Sequence, residues 1–185
     1  MKGKVYPHIK STLIKETKKP LGLNILEIGA GGCQYKEIFK NHKYTSTDIK
    51  ESPNYINDID VFCDAHDLSN YFKTQKFDLV FIVASLYLMN SPIRVCKEVN
   101  KILKKDGVFL VFDYPPHIQK DLMKRHFKNN IYINIPCWSY DQLRIILSGT
   151  GFCLIKNKSV ISQRVRFHLN YDRFNSWLII KSKKK

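Results

Sequence analysis

A carboxylate stands two residues ahead of a Gly-Ala-Gly-Gly turn: Glu27 precedes Gly29, Ala30, Gly31 and Gly32 at the end of the apolar run Asn24–Ile28. Closely spaced glycines after a strand let the backbone approach a ligand, and the free N–H groups of a following helix start would face it. A second carboxylate, Asp48, falls 19 residues after Gly29 at the end of the β-branched and aromatic run 44–49. An acidic side chain at about that spacing can accept hydrogen bonds from both hydroxyls of a ribose. A third, Asp64, follows the brief strand-like run 61–63 and is followed by Ala65. Residues of these types in this order could hold a nucleoside-bearing cofactor.

Two details narrow the cofactor. A dinucleotide site asks for G-x-G-x-x-G with the pyrophosphate on a helix start, but Gln34 stands where the third glycine would fall, and Glu27 would repel a diphosphate. A carboxylate within the strand suits a ligand that brings a cation, and S-adenosylmethionine brings an α-ammonium and a sulfonium. The pattern E-x-G-x-G-G resembles the first motif of class I S-adenosylmethionine-dependent methyltransferases, with Cys33 where that family commonly has another glycine. The resemblance implies a cofactor set of Glu27, Gly29, Ala30, Gly31, Asp48, Ile49, Asp64, Ala65, Val83 and Ala84, with Asp64 at the position that meets the adenine edge. His66, beside it, is read as structural or as edging the adenine pocket.

A sheet must bring these positions together. Residues 77–84, FDLVFIVA, form a nearly continuous apolar run, as a central strand buried on both faces requires. A helical stripe follows in Ile93, Val95, Val99, Ile102 and Leu103; Lys104, Lys105, Asp106 and Gly107 stop it, and 108–112 reads as another buried strand. Residues 77–113 resemble the fourth- and fifth-strand region of small-molecule methyltransferases in this superfamily. The run 138–152 resembles their next helix, ending in Gly-Phe before a sixth strand. The likeness spans about residues 21–155. It implies an α/β, Rossmann-like, doubly wound sheet of seven strands, mainly parallel with an antiparallel last strand, in three layers.

Length fits one domain over 1–185, and 44% hydrophobic with 12% aromatic residues is ample for its core. No apolar run approaches the roughly 18 residues of a membrane helix, and the first twenty residues lack a signal-peptide stretch, so a cytoplasmic protein without membrane contact is expected. The five cysteines have no C-x-x-C spacing and read as small core residues, with neither disulfides nor a metal site.

The net charge of +15 is uneven: residues 21–117 sum to −1, while 1–20, 118–130, 156–173 and 181–185 are all basic. Because ligands of such sheets bind at the strand carboxyl ends, the basic segments are expected to ring the substrate side. They suit an anionic acceptor or reflect a solvated surface that aids solubility. RNA is a further candidate, since Arg164, Arg166, Phe167, His168, Tyr171, Arg173 and Phe174 interleave bases and aromatics; the same alternation fits a two-stranded ribbon feeding a last strand over 176–180.

Methyl transfer is an in-line displacement that needs an aligned nucleophile, excluded water and, for a hydroxyl, a proton acceptor. Enzymes that methylate planar amines often carry Asn/Asp-Pro-Pro-Tyr/Phe after the fourth strand; here that place reads Ala84, Ser85, Leu86, Tyr87. The departure favours an oxygen, carbon or alkyl-amine acceptor. His117, on a proline-stiffened turn after the fifth strand, is the general-base candidate, and Tyr87 and Tyr114 are candidates to orient the acceptor or line the methyl pocket. The expected substrate is a hydroxyl of a small molecule, sugar or secondary metabolite, anionic or not. Residues 114–137 and the basic 1–20 segment form its cover, or a second subunit in a homodimer helps. Two other readings stay open: an RNA methyltransferase using the 156–173 ribbon, and a catalytically silent fold that binds a partner.

Overall fold

Five strands rise side by side because their apolar runs are too short for helices and rich in β-branched and aromatic residues: β1 (Asn24–Ile28), β2 (Lys43–Asp48), β3 (Val61–Phe62), β4 (Phe77–Val83) and β5 (Leu103–Asp113). Two more, β6 (Phe152–Val160) and β7 (Trp177–Lys184), complete a seven-stranded sheet of order β3-β2-β1-β4-β5-β7-β6. The computed structural model describes residues 5–50, 58–114, 116, 119, 138–160 and 177–184, the side chains of 154–160 and 177–180 excepted. β1 to β5 pair in parallel, and β7 runs antiparallel to both β5 and β6. This is the expected mainly parallel sheet with an antiparallel last strand.

Alternation along each strand sorts side chains into two layers. Leu26, Ile28, Val80, Ile82, Phe109 and Val111 pack on one face with Val95 and Val99 of α3 (Pro92–Ile102) and Leu143 and Leu147 of α4 (Tyr140–Gly149); the short helix α2 (Leu68–Tyr71) adds Leu68. Ile25, Leu79, Phe81, Leu110 and Phe112 pack on the other face with Ile9 and Leu13 of α1 (Pro7–Thr17) and with Tyr35 and Phe39. The helix starts are set locally. Pro92 occupies the first turn of α3 behind the Ser91 cap, and Ser139 and Gln142 form a reciprocal capping box on α4.

Register aligns the strand carboxyl ends. Ile28 lies opposite Thr47 and Ile82, Asp48 opposite Phe62, and Val83 opposite Phe112. The chain goes from β1 outward through β2 to β3, then returns to place β4 on β1's other side, so the order reverses between β1 and β4, where such sheets open a crevice.

Three features differ from the expectations. The glycine turn runs into turns and one 3₁₀ turn, Lys36–Phe39, rather than an α-helix. The segment joining β1 to β2 is short and its first residues are spent on backbone reversals, including Cys33 at φ +49°. Lys104–Gly107 does not separate helix from strand: β5 already pairs at Leu103, opposite Phe77, and absorbs the extra residues in a register shift with Asp106 at φ +62°. Finally, β7 continues through the basic tail, because Ser182 turns inward and donates to Phe109 O at 3.3 Å while Lys184 Nζ donates to Asn100 O at 2.7 Å and Leu103 O at 3.1 Å. The tail therefore ends at the amino edge of the parallel strands, opposite the crevice, instead of ringing the substrate side.

Of the expected cover 114–137, the described residues are Tyr114, Pro116 and Gln119. Gln119 is fully buried; its amide donates to Tyr114 O and to Trp138 O at 3.2 Å and accepts from Trp138 N at 3.0 Å. Cys33, Cys63 and Cys96 are buried free thiols, as small core residues should be, but Cys153 is exposed.

Candidate functional site

The crevice between β1 and β4 is built from backbone first. Gly29 (φ +66°) and Gly31 (φ +51°) take the left-handed conformation that costs glycine little. A Cβ on Gly29 would stand 2.4 Å from Ser85 Oγ and 2.7 Å from Ser85 Cβ, so the turn lies directly on the end of β4. Ser85 Oγ donates to Ile28 O at 3.3 Å, completing that contact. On the β2 side, Ala30 N donates to Thr47 O at 2.9 Å and Gly31 N to Asp48 Oδ2 at 2.7 Å.

Asp48 Oδ1 accepts from Ile49 N at 2.8 Å. Each carboxylate oxygen has room for another donor, so bracing the turn leaves Asp48 able to accept from a ligand. Ile49 beside it is 45% exposed, an apolar side chain at the mouth of the crevice. Val83 is buried, and Ala84, half-buried at φ +51°, is held by its N–H to Phe112 O at 2.8 Å. A non-glycine residue stays in that conformation only where its surroundings fix it.

Glu27 lies under the turn, opposite Ser46 in register, with 1% of its surface exposed. Tyr44, two residues before Ser46 and so on the same face, donates its hydroxyl to Glu27 Oε2. Burial pushes the Glu27 carboxyl up to about 8; the Tyr44 bond pulls it back, and the charge of Asp48 adds to the rise. The carboxyl is mostly protonated at neutral pH, and a nearby cation would draw the proton off.

Asp64 opens the 3₁₀ turn Ala65–Asp67, and its Oδ1 accepts from His66 N at 2.9 Å and His66 Nδ1 at 2.6 Å. His66 Nε2 accepts from Ser91 N at 3.3 Å, a pattern that assigns the ring proton to Nδ1. Arg94 Nε donates to His66 O at 2.9 Å, tying this turn to the start of α3. Burial pushes the Asp64 carboxyl up, but the His66 bonds and the Arg94 charge outweigh it and hold the group below its usual range. Ala65 is buried behind it.

Tyr87 and Tyr114 come together after the ends of β4 and β5, ring centroids 6.0 Å apart and tilted 69°. The Tyr114 hydroxyl lies 3.3 Å from that of Tyr6, at the start of α1. Both rings are nearly fully buried, and burial pushes both hydroxyls upward. They therefore hold their protons at neutral pH and act as packing groups and donors rather than bases. His117 lies outside the described residues, as do residues 161–173 of the basic ribbon.

Four residues of this region carry no motif that the sequence makes visible. Ser85 and Gln119 act through backbone contacts; Tyr44 could be found only by combining the period of β2 with its register on β1. Asp113 closes β5 fully buried, its Oδ1 accepting from Tyr114 N at 2.8 Å and its Oδ2 without a hydrogen-bond partner among the described residues. Burial pushes its carboxyl up to about 7, against the Tyr114 and Tyr87 amides that pull it down. An acidic residue ending an apolar strand was the available signal. Among the described residues, no group of three His, Cys, Asp or Glu side chains gathers as a metal site.

The sequence pattern of a family described as a methyltransferase domain matches residues 26–111. The CurJ carbon methyltransferase has a similar fold (TM-score 0.66, 16% identity); the alignment covers 96% of this chain and 53% of that one, so the chain spans about half its length. A putative S-adenosylmethionine-dependent methyltransferase from Listeria monocytogenes aligns over 97% of this chain and 100% of its own at TM-score 0.66 and 15% identity. The N-methyltransferase NodS from Bradyrhizobium japonicum aligns over 96% and 94% at TM-score 0.64 and 14% identity. No curated protein matches the chain in sequence. Residues 26–111 thus carry a methyltransferase-domain pattern. The fold is shared with S-adenosylmethionine-dependent methyltransferases. The crevice residues fit S-adenosylmethionine: a carboxylate at Asp48 with room for further donors, and a buried, protonated carboxyl at Glu27 ready to answer a cation.

Proposed function

We propose that this protein is an S-adenosylmethionine-dependent methyltransferase acting on a hydroxyl of a small or medium-sized acceptor, and that Glu27, Gly29, Ala30, Gly31, Asp48, Ile49, Asp64, Ala65, Val83 and Ala84 hold its cofactor. When bound, S-adenosylmethionine supplies an activated methyl group. In this reading Gly31 allows close backbone approach, Asp48 accepts from the ribose, Asp64 meets the adenine edge, and Glu27 answers the cationic end.

The observation that carries the acceptor reading is the end of β4. A planar amine needs polar groups there, but Ala84, Ser85 and Leu86 lead to a buried Tyr87, and the Ser85 hydroxyl is committed to Ile28 O. That leaves oxygen, carbon and alkyl-amine acceptors; for the hydroxyl of this proposal, Asp113 and His117 are the proton-accepting candidates after β5. Asp113 is supported by one carboxyl oxygen unpartnered among the described residues and by burial that pushes its carboxyl up to about 7.

The test is transfer from labelled S-adenosylmethionine into an extract of the source cells, followed by fractionation. Label in the low-mass or glycan pool, stable to mild acid and base as an ether, supports the hydroxyl reading. Label in a high-mass pool that nuclease releases instead selects RNA as the acceptor, the alternative that draws on the basic 156–173 segment.

A further inference from the structure

The lysines at the amino edge of the sheet fall into three groups. Lys76 and Lys184 donate to carbonyls at the end of α3, where cations complement the helix dipole. Lys104 and Lys181 are paired with Asp78 at 2.8 Å and Glu16 at 2.6 Å. Lys19, Lys105 and Lys183 are exposed and have no carboxylate within ion-pair distance among the described residues. They come from three separate places, the segment after α1, the start of β5 and the end of β7, and all three border one groove.

That groove has a volume of about 440 Å³ and a floor of Pro20, Leu23, Leu79 and Val108. Asp106 is the one carboxylate on its rim that is not already paired with a lysine among the described residues. Convergence of three unneutralised lysines on one concavity costs electrostatic energy and contributes nothing to the packing described above. An anionic occupant would offset it.

We propose that this groove, at the end of the sheet opposite the cofactor crevice, docks the phosphodiester backbone of a single-stranded nucleic acid. Lysine ammoniums contact phosphate as point charges, and a concave channel admits a strand where a lipid surface would need a flat face with an apolar wedge. No aromatic side chain lines the groove, so bases have nothing to stack on and binding is to backbone alone, without sequence preference. The surface lies away from the methyl-transfer site, so it localises the enzyme rather than presenting an acceptor, and it stands or falls independently of the acceptor reading above.

The experiment is fluorescence anisotropy of the full chain with a labelled 20-nucleotide oligouridylate over a range of salt. The triple variant K19E/K105E/K183E is compared with K36E/K40E/K97E, which makes the same charge change on other exposed lysines. The expected result is salt-dependent binding by the wild type, and in the groove variant a loss of about tenfold or more. The groove variant's log–log salt slope should also be shallower by about two, from roughly 0.7 per lost phosphate contact on a single strand. The control triple should keep the wild-type slope, and both variants should bind S-adenosylhomocysteine normally, which shows them folded. No binding by the wild type, equal losses in the two variants, or tighter groove-dependent binding to anionic phosphatidylserine vesicles than to the oligonucleotide would each overturn the proposal.

Discussion

The amide of Gly31 donates to the carboxylate of Asp48 at 2.7 Å, so the residue assigned to the ribose is also the brace of the glycine turn. Asp48→Ala is expected to release the turn and lose the ligand contact together, weakening S-adenosylhomocysteine binding by about tenfold or more, the scale of one hydrogen bond to a charged group. Asp48→Asn keeps an acceptor for Gly31 and should lose less. Calorimetric titration measures both; an Ala variant with wild-type affinity would remove Asp48 from the site.

Gly29→Ala forces a Cβ against Ser85 at 2.4 Å in a backbone region closed to most side chains. A stability loss on the order of 1–3 kcal/mol is expected, from strain and the displaced turn. Adding Ser85→Gly removes the clashing atoms but not the strained φ, so the double variant should recover part of the loss in thermal melts. A Gly29→Ala protein as stable as the parent contradicts the packing described.

Glu27, with its carboxyl at about 8, carries a proton at pH 7. A cationic cofactor favours the ionised form, so binding S-adenosylmethionine at pH 7 should release a fraction of a proton, approaching one. Titrations in two buffers of different ionisation heat read this directly, and Glu27→Gln should abolish the difference. Identical heats for the wild type in both buffers would show that Glu27 does not sense the ligand.

Asp113 titrates near 7 in the folded chain against 3.8 for an ordinary aspartate. The folded state binds that proton more tightly, so the associated stability is fully present below about pH 4 and is lost as pH rises through 7. Asp113→Asn should flatten the fall in stability between pH 5 and 7, by on the order of 1 kcal/mol per pH unit. Glu27 acts with the same sign up to about pH 8, leaving a residual slope in the variant. Denaturant unfolding at several pH values tests the sign; a variant with an unchanged slope rules Asp113 out as its source.

His66 fixes one oxygen of Asp64 while its other ring nitrogen accepts from Ser91. His66→Ala should free the Asp64 carboxylate to rotate and lower affinity for adenine-bearing ligands several-fold, while methionine alone is unaffected. His66→Asn, able to bond Asp64 from a shorter side chain, should restore part of it. Equal loss for adenosine-containing and adenosine-free ligands would separate His66 from the adenine position.

Strand positions were legible because apolar runs such as 77–84 have few alternatives to a doubly buried strand, and Glu27, Gly29 and Asp48 were legible because their spacing follows the path from β1 to β2. The missing helix after the turn was not, since a glycine motif is silent on how many residues remain before the next strand must start. The fate of the basic tail was also hidden. Lysine-rich composition reads as a solvated end, whereas Ser182 facing inward and Lys184 on the carbonyls of α3 depend on β7 pairing beside β5, a contact more than seventy residues distant in the chain. The network around Glu27 and Asp113 depends on register and burial, which a single strand's pattern does not encode.

Tyr6 meets Tyr114 at one edge of the sheet, and Lys184 caps α3 at the other. A peptide, fluorophore or surface tether joined after Lys184 would emerge behind the molecule, away from the crevice, whereas the same group joined ahead of Tyr6 would emerge beside Tyr114 and compete for its space. Anchored by its far end, the enzyme would face its crevice outward, which is the orientation in which a sensor or an immobilised catalyst could work.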